Sequence, residues 1–134
     1  MGRYSGNYAT YGSVSIPLIP DVSFTDGIIH SIKFSADSII DTGADISNLP
    51  EALVRQYRIP VRDWEDVWWP NGTVQRRPVF LLKVEVPHLR SIMERFMDCG
   101  YPEVILGRNL LNRWSIMLDP THIHSPHDIQ IDDS

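Results

Sequence analysis

Apolar and polar positions alternate in short runs along most of the chain, a period of two that belongs to strands. Residues 13–19 alternate in this way, with Pro17 confining the run to a sheet edge. A turn is expected at Asp26-Gly27, and residues 27–34 alternate loosely before Asp37-Ser38-Ile39-Ile40 runs into Asp41. Residues 79–86 read as a buried strand, residues 103–106 as a short one ending at Gly107, and residues 115–118 as another. Trp64 to Trp69 and Val74 to Arg76 form two strand-like runs joined by Pro70-Asn71-Gly72-Thr73. Asn-Gly in that position predicts a hairpin, with Asn71 and Gly72 both at positive φ in a type I′ turn.

Helical signals are few. Ser47-Asn48-Leu49-Pro50-Glu51 offers an N-cap and a first-turn proline; Leu53, Val54 and Tyr57 supply one apolar face, and Ile59-Pro60 stops it. Leu89, Ile92, Met93 and Phe96 recur at helical spacing, which predicts a second helix over 88–97. Residues 109–114 read as one or two further turns. Trp64 and Trp114 are assigned to the core. Many short strands with two small helices predict a mostly-β domain. Its body spans residues 13–120, after a flexible Gly/Ser/Asn/Tyr-rich arm over 1–12 and before a polar tail over 121–134.

With 134 residues there is room for one domain, and 43% hydrophobic with 22% charged residues is ordinary for a globular chain. The net charge of −5 and a lone adjacent basic pair, Arg76-Arg77, argue against nucleic acid as a partner. Cys99 has no partner for a disulfide and reads as a small, buried apolar residue. No run approaches the ~20 apolar residues of a membrane span, and the first residues lack the apolar core of a secretion signal, so the cytoplasm is expected. His122, His124 and His127 sit near Asp119 and Asp128, but the spacing fits no zinc pattern; no metal or other cofactor is expected.

The chemistry lies in Asp41-Thr42-Gly43-Ala44, which follows an apolar strand end, and in Val104-Ile105-Leu106-Gly107-Arg108-Asn109, with the predicted hairpin between them. In that order the three parts resemble the retropepsins, the single-domain aspartic proteases of retroviruses and their cellular and prokaryotic relatives. The resemblance covers residues 13–119, and the helix expected after Pro50 aligns better with the non-viral members. It implies a closed, barrel-like β-fold with a flap hairpin, working as a C2 homodimer on an extended peptide or protein substrate. Peptide hydrolysis by this route needs two carboxylates that share a proton across a water. The chain has one Asp-Thr-Gly, so the second carboxylate has to be the Asp41 of another copy.

The resemblance also distributes roles. Asp41 is the catalytic group, and Thr42 is expected to bond across the two-fold axis. Gly43 and Ala44 complete the loop, and Gly43 allows a tight turn and close approach of substrate. Asp45 is expected to meet the substrate backbone and to pair with Arg108, in the bidentate geometry that makes such pairs rigid. Gly107 and Asn109 belong to the second motif. Trp68, Trp69, Asn71 and Gly72 are flap residues, the two tryptophans pointing to opposite faces. Ile129 and Ile131 alternate as a terminal strand would at a dimer interface. The alternative function is a non-catalytic dimerisation or peptide-binding module of the same fold.

Overall fold

In the computed structural model, which describes residues 2–133, strand pairing accounts for most of the chain. In chain order the elements are β1 (Arg3–Gly6), β2 (Ala9–Tyr11), β3 (Val14–Ile16), β4 (Leu18–Asp26), β5 (Lys33–Ile40), β6 (Ser47–Asn48) and α1 (Glu51–Tyr57). They continue with β7 (Asp63–Trp68), β8 (Val74–Glu85), β9 (Ile92–Met97), β10 (Val104–Leu106), α2 (Arg108–Leu111), β11 (Ser115–Leu118) and β12 (Ile129–Asp132). The main sheet runs β4-β5-β10-β6-β9-β8-β7, and a further pairing of β4 with β8 closes the first six strands into a barrel. The fold is mostly β with two short helices, as the strand periodicity predicts, and has the closed barrel that the resemblance implies.

The barrel closes because each long strand has one face apolar enough to fill it. Phe24 and Phe34 are direct cross-strand partners with ring centroids 5.1 Å apart; Phe96 meets Phe24 edge-on, and Tyr57 of α1 stacks on Phe34. Such aromatic pairs add about 0.5–1.5 kcal/mol each beyond the area they bury. Ile19 and Val22 both face the core although three apart, which strict alternation forbids. An irregularity in the β4–β5 register between them, at Pro20 and Asp21, supplies the extra residue. Asp21 sits at φ 51°, and its N–H donates to Asp37 Oδ1.

Four expectations change. Residues 92–97 are a strand, β9, where a helix over 88–97 is predicted from spacing. Ile92 and Phe96 are four apart, an even number, so they share a face in either structure; Leu89, which completed the helical pattern, lies in the turn after β8. Ser47 and Asn48 do not cap α1 but form β6, leaving Pro50 at the cap position with no side-chain bond. The helix stops at Arg58, which takes the left-handed conformation. Trp114 is buried as expected, whereas Trp64 is 48% exposed on β7. Finally, Arg3–Gly6 in the expected arm is β1, paired with β12; the strand suggested by Ile129 and Ile131 is present as β12, but it lies inside its own chain's sheet between β1 and β11.

That second sheet, β1-β12-β11, is held by carboxylates. Asp119 is buried, and its side chain accepts bonds from the Thr121 hydroxyl and the N–H groups of His124 and Ser125. These bonds, the hydroxyl first, lower its pKa to about 2. Asp128 bonds the Tyr8 N–H and the His122 ring, and Asp133 bonds the N–H groups of Gly2 and Arg90; both carboxyls are pulled below their ordinary range, chiefly by those backbone donors. Ile129 and Ile131 are fully buried. Because β12 is paired on both sides within the chain, the open edges of this sheet are those of β1 and β11.

Candidate active site

The loop carrying Asp41 leaves the barrel where β5 ends beside the parallel β10. The Asp41 N–H donates to Leu106 O, prolonging that pairing by one bond, and Asp41 O accepts the Ala44 N–H at 3.2 Å. The Gly43 N–H donates to Asp41 Oδ1 at 2.9 Å, an Asx turn that orients the carboxylate. A Cβ at Gly43 would lie 3.2 Å from that oxygen, so this position is tight for any side chain.

The second motif clamps the loop from behind. Arg108 and Asn109 donate their backbone N–H groups to Ala44 O and Asp45 O. The Asn109 side-chain oxygen accepts both the N–H and the hydroxyl of Ser47, while its Nδ2 reaches Arg95 O. The Gly107 N–H donates to Ser47 Oγ. A Cβ on Gly107 would stand 2.6 Å from the backbone of Ile46, so glycine is required there by close packing rather than by an unusual φ. Arg108 and Asp45 form an ion pair through one nitrogen and one oxygen, not the bidentate fork expected. Both side chains are largely exposed, and such a pair is worth about 0–1 kcal/mol. The Thr42 hydroxyl is exposed and has no bond among the described residues.

Asp41, Gly43 and Ala44 line a cavity of about 220 Å³ with Ile46, Asn48, Cys99, Tyr101 and Ile105. Asn48 is the residue here whose importance the sequence hides. It is 1% exposed; its side-chain oxygen accepts the Cys99 N–H, and its Nδ2 donates to Tyr101 O and Glu103 O. One amide thus fixes the loop that walls the cavity. The only sequence signal was an Asn beside an apolar run, which read as a cap.

The hairpin of β7 and β8 stands over a larger hollow of about 580 Å³ lined by Trp69, Asn71, Arg77 and Cys99. Its turn is not type I′. Pro70 and Asn71 are the central residues of a Trp69–Gly72 turn, and Gly72 follows at φ 84°, because proline cannot adopt positive φ and the loop takes a third residue. Asn71 Oδ1 accepts the N–H and hydroxyl of Thr73. The two tryptophans part as expected: Trp68 is 73% exposed, while the Trp69 indole lines the hollow with its N–H buried and without a partner among the described residues. Cys99, half-buried between the two cavities, has its thiol pKa raised by burial against the opposing pull of Arg77. Among the described residues His122, His124 and His127 gather into no metal-binding group, and no helix is long and apolar enough to cross a membrane.

No family model and no curated sequence matches the chain. Among solved structures it is similar to the EIAV protease complexed with the inhibitor HBY-793, with a TM-score of 0.55 and 22% identity over 78% of this chain and 92% of that one. The fold is retropepsin-like. This likeness agrees with the closed barrel, the projecting β7–β8 hairpin and the loop at the β5–β10 junction. The Asp41 loop follows barrel strand β5 and the second motif begins in barrel strand β10, while the helices and the strands β1, β2, β3, β7, β11 and β12 stand outside the closed ring.

Proposed function

We propose that the protein is an aspartic endopeptidase, active as a C2 homodimer that brings two copies of Asp41 together. The observation that carries this reading is the Asp41 carboxylate itself, oriented by the Gly43 N–H at the mouth of a cavity on a loop tied to the Gly107–Asn109 motif. A single carboxylate activates a water poorly; two a few ångströms apart hold one proton between them, so one accepts from water while the other donates to the scissile carbonyl. The Thr42 hydroxyl, free on the surface of one chain, is available to bond across the axis. The β7–β8 hairpin would close over an extended peptide, with Trp69 on its inner side and Trp68 outside. The open edges of β1 and β11 offer further pairing between copies.

The test is cleavage of a peptide library by the purified protein and by Asp41→Asn. Loss of at least a thousandfold in rate is expected, with the sedimentation coefficient unchanged; retained cleavage would sink the reading. A protein that stays monomeric and ignores a statine-type inhibitor would favour the non-catalytic module.

A further inference from the structure

Behind the strand that ends at Asp41 lies a second cavity, of about 530 Å³. Its walls are Ile39 of β5, Leu18 of β4, Leu53 of α1 and Val104 of β10, and the β2–β3 hairpin contributes Tyr11 and Ile16. It falls within the roughly 300–1,000 Å³ of pockets that hold small ligands or side chains. Two carboxylates, Asp37 and Glu103, are the charged groups in this lining. Neither has an ion-pair partner among the described residues; Asp37 accepts the Asp21 N–H through one oxygen, and the Glu103 side chain accepts nothing. An apolar hollow rimmed by unneutralised carboxylates fits an apolar side chain next to a cationic one.

The hollow is a separate cavity from the one at Asp41, but the two are close along the chain. Ile39 of β5 lies two residues before Asp41, about 7 Å along an extended chain. On the other wall Val104 faces the hollow and its neighbour Ile105 faces the Asp41 cavity. An extended peptide advances about 3.3 Å per residue, so a chain leaving the cleft round Tyr101 and Pro102 reaches the hollow within a few residues.

We propose that this hollow is an exosite for the substrate chain, taking a Leu- or Phe-like side chain adjoined by Lys or Arg outside the cleaved region. The proposal rests on the peptidase reading for its occupant, yet binding can be measured without cleavage. A fluorescein-labelled peptide carrying two leucines flanked by arginines is titrated into the Asp41→Asn protein and followed by polarisation. Ala52→Trp fills the hollow from an exposed helix position, and Glu103→Lys reverses the rim charge. Each is expected to weaken binding at least tenfold, and a peptide with glutamates for arginines should bind as weakly. Unchanged affinity in both variants would overturn the exosite. Should Ala52→Trp fail to fold, judged by circular dichroism, Glu103→Lys decides alone. Dissociation of the dimer by either variant would assign the hollow to a second copy and overturn it equally. In the Asp41-intact protein the same variants should slow cleavage of the basic peptide while sparing a short peptide confined to the cleft. Absence of all cleavage with tight peptide binding intact would reject the peptidase and leave the exosite standing.

Discussion

The Asp41 loop and the terminal sheet are both pinned by side-chain to backbone bonds, but by different chemistry. Around Asp41 most of the pins are uncharged: the amides of Asn48 and Asn109, the hydroxyl of Ser47 and the bare backbone of Gly107. In the terminal sheet they are the carboxylates of Asp119, Asp128 and Asp133, each held below its ordinary pKa by its donors. Neutral clamps keep their strength across the pH scale. Carboxylate clamps keep theirs only while ionised. The frame of the Asp41 loop is thereby largely independent of carboxylate titration, whereas the β1-β12-β11 sheet is not.

The most severe way to break the neutral clamp is Gly107→Ala. The added Cβ meets the Ile46 backbone, which has no flexible end to move, and a loss of about 3 kcal/mol or outright misfolding is expected in urea denaturation. Asn48→Ala comes next, at about 2 kcal/mol, since it strands a buried N–H and two carbonyls. It should also free the 98–103 loop, so that Cys99 reacts faster with iodoacetamide; an unchanged rate would mean that Asn48 does not hold that wall. The carboxylate side of the comparison predicts a pH effect. Asp119 has its folded pKa depressed to about 2, so its contribution is complete above about pH 4 and is lost as pH falls toward 2. Amide-exchange protection of β1 and β12 should therefore drop between about pH 4 and pH 2 while that of β5 and β10 holds, and Asp119→Asn should flatten the difference. Equal loss in both regions would erase the contrast. Smallest of all, Trp68→Ala should shift stability by less than about 0.5 kcal/mol, because the side chain is mostly in solvent.

Much of this was legible in the sequence, and the exceptions have physical causes. The strands flanking Asp41 were readable because both motifs are contiguous and their apolar runs are short. The relation of Gly107, Arg108 and Asn109 to the Asp41 loop was legible only through the family resemblance, since nothing local in either segment names the other. Spacing misled at β9, where a repeat of four satisfies both periods. Asn48 was missed because an asparagine between Ser and Leu looks like a cap, and its three bonds go to backbone groups some fifty residues away. The turn between β7 and β8 was misjudged because Asn-Gly outweighed the proline before it. The N-terminal strand was invisible in a stretch of Gly, Ser, Asn and Tyr; its order comes from β12, at the far end of the chain.

That last pairing has a consequence in time. Joining Arg3 to Asp132 closes nearly the whole chain into one loop, among the costliest closures in entropy that the molecule makes. Contacts of such range form late in folding. During synthesis β1 leaves the ribosome well before β12 and waits for it, whereas β5, β10 and the Asn109 amide can already shape the Asp41 loop. The Asp41 loop is thus shaped before β1 and β12 pair, and the sheet with open edges at β1 and β11 is the final piece to set.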